Sequence, residues 1–338
     1  MELNEAVIRE PLRRFIAERS GATEVRIESL HRLGGGAVQE IWSIDANVDA
    51  TPLGLVMKAS SASAGVPDSI TREQEFMVLR AAHTVGVTVP EPLWVCTDRT
   101  IIGRDFFIMR EVKGVAAGHL LVRDSSLGDA LVERLGRELA YIHSIYPNGS
   151  ELDFLRRPQS TPAQHSIDRY RSWLSYMELP YPGLEWCLCW LDAHAPRAPF
   201  RLTLIHHDFR TGNYMVDAGK LTGILDWEFC EWGDIHEDIA WFCARCWRFG
   251  ACDKEAGGIG SRETFYRSYE EASGRTIERD IIPYWEVMAH VRWATIAIQQ
   301  GQRHCSGVDR SLELALTGRM TAELELQALL MVEEMSDA

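Results

Sequence analysis

The stretch at residues 204–228, LIHHDFRTGNYMVDAGKLTGILDWE, constrains the fold of this chain more than any other. Its apolar runs YMV and TGIL are typical of short strands, and a turn at residues 217–220 would let them pair antiparallel. Asn213 directly precedes the first run and Asp226 closely follows the second. We therefore expect the Asn213 amide and the Asp226 carboxylate to meet at the open end of a hairpin, where their oxygens would suit Mg²⁺.

The remaining polar groups fit the requirements of phosphoryl transfer from ATP, which needs a phosphate cradle, a cation, metal ligands and a base. Asp208 precedes the hairpin, and its carboxylate could receive the proton of an attacking hydroxyl. Lys58 lies on a predicted strand as a point charge for phosphate, and Glu75 on the following helix could pair with it. A turn between two predicted strands could approach phosphates closely, and its glycines are Gly34, Gly35 and Gly36.

The distribution of periodic patterns predicts an α+β chain in two parts. Residues 1–112 read as a small, mostly antiparallel sheet with one important helix, and we expect them to form an N-terminal nucleotide-binding lobe. Residues 113–338 read as a larger, mainly helical C-terminal lobe for catalysis and substrate binding, with two short strands near its middle. Pro11 is expected to open the first helix, and GDIHEDIAWFCARCWRFG is expected to form one helix.

Composition narrows the class of partner. The net charge of −14 argues against nucleic acid, whose phosphates favour basic faces, and is compatible with a cationic substrate. The N-terminus has no apolar signal region and no apolar run is long enough to span a membrane, so we expect a cytoplasmic protein without a membrane partner. The eight scattered cysteines lack a second pair at zinc spacing and favour buried, reduced thiols. Nothing in the sequence indicates an oligomeric state.

The combination HHDFRTGN…ILDWE resembles the HxDxxxxN and Asp-x-Asp/Glu motifs of the aminoglycoside phosphotransferase-like family, and the resemblance covers nearly the whole chain. RLGGGAVQEIW resembles the glycine loop of that family, VMK its lysine strand, REQEFMVLRAA its glutamate helix and FFIMREVKG its interlobe hinge. The resemblance implies a protein-kinase-like bilobal fold that phosphorylates hydroxyls of small molecules with ATP and Mg²⁺. The branch it resembles most is the kinase domain that accompanies acyl-CoA dehydrogenases.

The resemblance also implies residue roles. Asp208 would be the catalytic base, and Asn213 and Asp226 would bind Mg²⁺. Lys58 would contact the α and β phosphates, with Glu75 orienting it.

Supporting roles follow from the same resemblance. Main-chain groups at residues 110–112, around Arg110 and Val112, would meet adenine. His206 would brace the catalytic loop, and Glu228 would support the metal site.

Two residues beside Asp208 depart from the aminoglycoside-modifying members and put that acceptor in doubt. His207 occupies a position that is usually small, and Arg210 one that usually holds histidine or another residue. Arg210 could form an ion pair within the loop, or clamp an anionic group of the acceptor or the transferring phosphate. The tryptophans of the helices favour a core role, but Trp285, Arg292 and Trp293 lie on the late helix that lines acceptor sites in similar proteins, so the resemblance implies a place beside the acceptor for them.

A run of six carboxylates without Lys or Arg extends from Asp226 to Asp238. Asp234 is expected to cap the following helix. Three further carboxylates of the run could be solvated, structural or substrate-facing: Glu231, Glu237 and Asp238.

The sequence therefore favours an ATP- and Mg²⁺-dependent kinase of a small-molecule hydroxyl, with Asp208 and Arg210 as its catalytic residues. The branch resemblance and Arg210 favour a hydroxyacyl or hydroxy-acid metabolite as the acceptor. An aminoglycoside or choline-like amino alcohol is the alternative favoured by the acidic chain. A non-catalytic nucleotide-binding protein is a further alternative.

Overall fold

The computed structural model describes residues 3–34, 40–60, 68–147, 151–177, 179–197 and 200–336. The strands in chain order are β1 Val25–Arg32, β2 Glu40–Val48, β3 Thr51–Ala59, β4 Pro92–Cys96, β5 Phe106–Arg110, β6 Thr203–Ile205, β7 Tyr214–Asp217, β8 Lys220–Ile224 and β9 Glu231–Gly233. The α-helices are α1 Glu5–Ser20, α2 Arg72–Thr84, α3 Gly118–Arg123, α4 Asp129–Ile142, α5 Pro162–Ser175, α6 Pro182–Ala193, α7 Ile235–Cys243, α8 Arg262–Ser273, α9 Ile282–Cys305, α10 Leu312–Arg319 and α11 Thr321–Ser336. Two 3₁₀ turns cover Arg245–Trp247 and Arg279–Ile281.

The chain divides into two compact units. The first contains Met1–Val115, Asn148–Leu155 and Tyr214–Cys230, and the second contains Ala116–Pro147, Arg156–Asn213 and Glu231–Ala338. The first unit therefore takes in the β7–β8 hairpin, which the sequence placed in the C-terminal lobe. The two units are groups of residues that pack together. The division into lobes at residues 112 and 113 stays a prediction.

A five-stranded antiparallel sheet in the order β1-β2-β3-β5-β4 forms the first unit with α1 and α2. Alternate residues of β2, among them Trp42 and Ile44, face a core against α1. The last five residues of β3 are all buried, as expected for a central strand covered on both faces. This double burial carries Lys58 into the interior, where it is 3 % exposed.

The start of α1 differs from the prediction. The helix begins at Glu5 because the Asn4 side chain accepts a hydrogen bond from the amide of Ala6 at 2.9 Å and caps it. Pro11 lies inside the helix and removes one of its main-chain hydrogen bonds. The face formed by Ile8, Leu12, Phe15 and Ile16 is buried, which offsets that loss.

The predicted hairpin is present in the first unit. β7 and β8 pair antiparallel, with Tyr214 opposite Ile224 at the open end and Asp217 opposite Lys220 at the turn. Ala218 and Gly219, between them, both have positive φ, at 46° and 77°. This is the conformation of a type I′ turn, whose twist matches that of the flanking strands.

In the second unit, the 24-residue α9 packs against α5, α6, α7, α10 and α11. β6 pairs antiparallel with β9, a strand that the sequence analysis missed. Asp234 caps α7 as predicted, in a capping box with Glu237. The predicted continuation of α7 to Gly250 is wrong, because the helix ends at Cys243, whose carbonyl accepts from the Arg248 Nε and Nη2 atoms at 3.1 and 2.8 Å.

None of the eight cysteines, all of which lie within the described ranges, forms a disulfide. Burial was predicted for them, but Cys189, Cys252 and Cys305 are exposed. Among the helices of the described ranges, none combines the length and apolarity needed to cross a membrane.

Candidate functional site

Lys58 lies at the centre of a buried ionic cluster in the first unit. Its Nζ donates to Glu75 Oε1 at 2.6 Å, the predicted pair, and to Asp226 Oδ1 at 3.0 Å. Burial alone would lower the pKa of Lys58, but Glu75, Asp226 and Glu228 together raise it above its usual value. The ammonium therefore stays charged in the interior and can serve as a fixed cation.

Arg72, at the start of α2, extends this cluster and was missed by the sequence analysis. Its guanidinium donates to Glu75 Oε2 and, at 2.9 Å, to Glu228 Oε2. Burial raises the pKa of Glu228, against the opposing charges of Lys58 and Arg72. One sequence signal could have identified Arg72: it is a cation in the first turn of a predicted helix, where acidic residues are more favourable.

Asp226 combines strain with access to solvent. Its φ is 60°, a conformation that residues other than glycine adopt at a cost of order 1–3 kcal/mol. Its side chain is 37 % exposed, although it pairs with Lys58. A carboxylate held in a strained, partly open position is suited to contact a ligand.

A cavity of about 510 Å³ in the first unit borders this cluster, within the size range of small-molecule sites. Lys58, Glu75 and Asp226 supply its charged wall, and apolar residues such as Val56, Phe107 and Met109 line the rest.

The predicted adenine contacts Arg110 and Val112 also line this cavity. The amide of Arg110 already donates to the carbonyl of Glu91 at 2.9 Å. Within the described ranges no residue accepts from the amide of Val112, so that amide is the better candidate to bind a base edge.

The predicted phosphate loop is only partly described. Gly34 is described, and a Cβ on it would meet nothing within 4 Å. Gly35 and Gly36 lie outside the described residues, so their role stays a prediction.

Asp208, in the second unit, lies among hydrogen-bond donors. Trp241 Nε1 donates to its Oδ1 at 3.0 Å, as does Arg210 Nε at 3.2 Å, and the Asn213 amide nitrogen donates to its Oδ2. The same nitrogen donates to the carbonyl of Asp208 at 3.0 Å, which leaves the amide oxygen of Asn213 outside these bonds. His206 Nδ1 accepts from the amide of Asp208 at 3.2 Å, consistent with its predicted bracing role.

Arg210 forms the ion pair within the loop that was one of its two predicted roles. Its guanidinium also lies over the ring of Trp247, with 4.3 Å between Cζ and the ring centroid. The side chain therefore has a fixed position, while the clamp for an anionic group stays a hypothesis.

Asp238 has a structural role, which decides one of the alternatives left open by the sequence. Its two oxygens each accept a main-chain amide at 2.7 Å, from His206 and His207, and His143 Nε2 lies 3.2 Å away. Burial alone would raise the pKa of Asp238, but the contacts with His143 and His206 hold it below its usual value. The ionised carboxylate thus holds the loop that carries Asp208.

His207 adopts a φ of 61°, which explains why a residue without Cβ suits this position. Its ring nitrogens lie 3.5 Å from Glu231 and 3.9 Å from Glu237, and ligand atoms of the three residues fall within 4.8 Å of one another. The distances alone would allow a divalent cation. However, Arg169 donates to Glu231 at 2.6 Å and Arg156 lies 3.3 Å from it, so this cluster already holds matching positive charge.

A small cavity next to this cluster is lined by Tyr170, His207, Glu237, Trp241, Trp285, Met288, Ala289 and Arg292. Of the three late residues expected to line an acceptor site, it includes Trp285 and Arg292. Trp293 packs on Trp247 instead, with ring centroids 4.6 Å apart.

Arg292 is only 7 % exposed, and its Nε has no hydrogen-bond partner. Its Cζ lies 4.3 Å from the ring centroid of Trp241, the residue that donates to Asp208. Among the described residues no carboxylate forms an ion pair with Arg292. A buried guanidinium without a carboxylate partner is suited to bind an anionic group of a ligand.

The sequence profile of the phosphotransferase enzyme family matches residues 33–276, so the chain belongs to that family. Among curated proteins it is similar to acyl-CoA dehydrogenase family member 10 of Mus musculus, with 26 % identity over 298 residues. That match covers 80 % of this chain and 26 % of the mouse protein, and the chain spans about a quarter of the length of the first relatives it matches.

Two solved structures share the fold. One is a putative aminoglycoside phosphotransferase from Ralstonia eutropha JMP134, with a TM-score of 0.76, 21 % identity and 96 % and 98 % of the two chains covered. The other is a thermostable mutant of aminoglycoside phosphotransferase APH(4)-Ia in a ternary complex with ADP and hygromycin B. Its TM-score is 0.61 at 16 % identity, with 95 % and 98 % covered. The prediction of a protein-kinase-like α+β fold is confirmed.

Proposed function

We propose that this protein is a kinase that transfers the γ-phosphate of ATP to a hydroxyl of a small hydroxy acid or hydroxyacyl compound, with Mg²⁺ as cofactor. Family membership supports phosphotransferase chemistry in general. The choice of an anionic acceptor rests on one observation: Arg292 is buried near Trp241, its Nε has no hydrogen-bond partner, and no described carboxylate forms an ion pair with it.

In this proposal the nucleotide is bound by residues of the first unit. The apolar walls of its cavity and the amide of Val112 suit a purine, and Lys58 supplies a fixed cation for phosphate oxygens. Glu75 limits the movement of Lys58, because the two buried side chains are joined at 2.6 Å. Residues 1–112 would then act chiefly in nucleotide binding, as the sequence predicts.

Asp226 and Asn213 fit a magnesium ion by their chemistry. Both offer oxygen, the atom that this hard cation prefers, and the Asn213 nitrogen is engaged with Asp208. When bound, Mg²⁺ would offset the negative charge of the phosphates.

We assign Asp208 the role of aligning the acceptor hydroxyl and accepting its proton. Trp241 and Arg210 donate to its Oδ1, which fixes the orientation of the carboxylate. Arg210 would also lie beside the acceptor, where its charge favours anionic groups.

The rival acceptor is an aminoglycoside or amino alcohol, which Glu237 in the small cavity would favour. Burial, followed by the charge of Glu231, raises the pKa of Glu237 well above its usual value. A carboxyl that tends to be neutral is a weak anchor for an ammonium group, whereas the guanidinium of Arg292 is a fixed charge. These charges favour the acid over the amine.

The test is transfer from labelled ATP·Mg to acceptors matched in length: a hydroxy acid, its neutral amide and an amino alcohol. We expect the acid to be preferred and Arg292→Met to lower its kcat/KM by about 100-fold, as for loss of a buried charge partner. Arg303→Met is the matched control, since Arg303 lies on the same helix and pairs with Asp309 at 3.3 Å.

Each other outcome decides between the alternatives. Preference for the amino alcohol would overturn the anionic acceptor and leave phosphotransfer intact. Binding of ATP·Mg without transfer to any acceptor would favour a non-catalytic nucleotide-binding protein. Absence of ATP·Mg binding would overturn the proposed function as a whole.

A further inference from the structure

Five charged side chains of the first unit are joined in one series, and the main chain between Asp226 and Glu228 closes that series into a charge ring. Asp226 pairs with Lys58, Lys58 with Glu75 Oε1, Glu75 Oε2 with Arg72, and Arg72 with Glu228. The ring thus begins and ends on one short segment, because Glu228 follows Asp226 by two residues. The ring contains two positive and three negative formal charges, and each carboxylate contacts at least one cation.

Arg72 occupies an unfavourable place for a cation. It is the first residue of α2, where the helix dipole favours acidic side chains, as Glu73 and Glu75 illustrate. It is also only 8 % exposed, so its charge has lost most of its hydration. Its contacts with two carboxylates must offset both costs, and a local rule broken in this way is typical of a functional site.

Glu228 is held at two points, one on its side chain and one on its main chain. The first partner belongs to α2 and the second lies just before the helix cap. The Arg72 guanidinium binds the Glu228 side chain, and the amide of Ile70 donates to the Glu228 carbonyl at 2.9 Å. A guanidinium can bind two carboxylates at once through its planar fork, which the single ammonium of a lysine does not reproduce.

We propose that Arg72 is a positioning residue of the phosphoryl-transfer site. By holding Glu228 against α2, it fixes the segment that carries Asp226 relative to the Lys58–Glu75 pair. The inference rests on the proposed function, because Lys58 and Asp226 are assigned there to phosphate and metal.

The experiment measures ADP affinity by titration calorimetry, once with Mg²⁺ and once with EDTA, so that the ratio reports the magnesium-dependent part. We expect Arg72→Met and Arg72→Lys both to lower that ratio by about tenfold or more, as for residues that orient metal ligands. The affinity in EDTA should change far less, since adenine contacts are untouched.

The control is Arg104→Met, which removes another buried arginine of the same unit, paired with Glu40 at 3.0 Å, without contact to the ring. Thermal denaturation establishes that each variant is folded. If Arg72→Met does not fold, Arg72→Lys and Glu228→Gln provide the same comparison. In the double variant Arg72→Met/Glu228→Gln, the ratio should fall no further than in the worse single variant.

Two results would overturn the inference alone: full recovery in Arg72→Lys, which would reduce the role to charge, or an Arg72→Met ratio equal to that of the unchanged protein. Failure of the unchanged protein to bind ADP with Mg²⁺ would overturn the proposed function together with this inference.

Discussion

The two units treat buried charge differently. In the first unit, the buried cations Lys58 and Arg72 both pair with carboxylates at hydrogen-bond distance. In the second unit, Arg292 is also buried and lies against the ring of Trp241, but no described carboxylate forms an ion pair with it. Since unpaired buried charge is expensive, we expect the first arrangement to be complete in itself and the second to require a ligand.

Under the proposed function, this difference corresponds to two kinds of substrate. The groups assigned to the nucleotide recur with ATP in every turnover, so their mutual pairing can be built into the fold. The acceptor varies from one phosphotransferase to another, and its charge is matched only when it binds. The comparison therefore locates specificity in the second unit.

The largest expected effect concerns the second unit. Asp208→Asn removes the proposed proton acceptor while keeping its shape, and should lower kcat by about 100- to 10,000-fold, the usual contribution of a general base. Single-turnover transfer from labelled ATP measures the rate. ADP affinity should stay unchanged, and an equal loss of both would place Asp208 in nucleotide binding instead.

The comparison between cations with and without a carboxylate partner predicts effects of different size on stability. Lys58→Met leaves Glu75 without one of its partners in the interior, and we expect the free energy of unfolding to fall by about 3–5 kcal/mol. Arg292→Met leaves no described carboxylate unpaired and should cost less than about 1 kcal/mol, or stabilise the protein. Urea denaturation of both variants measures this difference, and equal losses would show that Arg292 has a partner within the protein.

The smallest effect is a pH dependence in the second unit. Burial lowers the pKa of His290 to about 4, against about 6.5 in an unfolded chain. The unfolded state then binds more protons, so His290 reduces stability as pH falls from 6.5 towards 4, by up to about 1.4 kcal/mol per pH unit. Glu237 and Glu286, whose pKa values are raised, act in the opposite direction.

The variant His290→Gln isolates this contribution. Its stability should fall less than that of the unchanged protein between pH 6.5 and 5, as measured by urea denaturation. His83→Gln, at an exposed position of α2, should leave the slope as it is. A His290→Gln slope equal to that of the unchanged protein would contradict the burial argument.

Much of the first unit could be predicted because its signals are local. The β7–β8 hairpin follows from two apolar runs around a tight turn, and the Lys58–Glu75 pair follows from a strand and the helix after it. In the second unit, the helix cap at Asp234 could also be predicted, because it depends only on the residues next to it.

The remaining features depend on contacts between distant parts of the chain. Arg72 and Glu228 are hydrogen-bonded although 156 positions separate them in the sequence. The short strand β9 is defined by its pairing with β6. Arg248 ends α7 by binding Cys243, which periodicity does not reveal. Whether a carboxylate lies within reach of Arg292 depends on the tertiary structure around it, so no sequence pattern could have predicted that Arg292 forms no ion pair with a described residue.

The charge ring also has a consequence for biosynthesis. Lys58 and Asp226 are separated by 168 positions, so the lysine leaves the ribosome long before its carboxylate partner is made. At typical elongation rates the interval is about 8–35 s. During that time Glu75 is the only carboxylate of the ring available to Lys58 and Arg72, and under the proposed function ATP would stabilise only chains whose translation has passed residue 228.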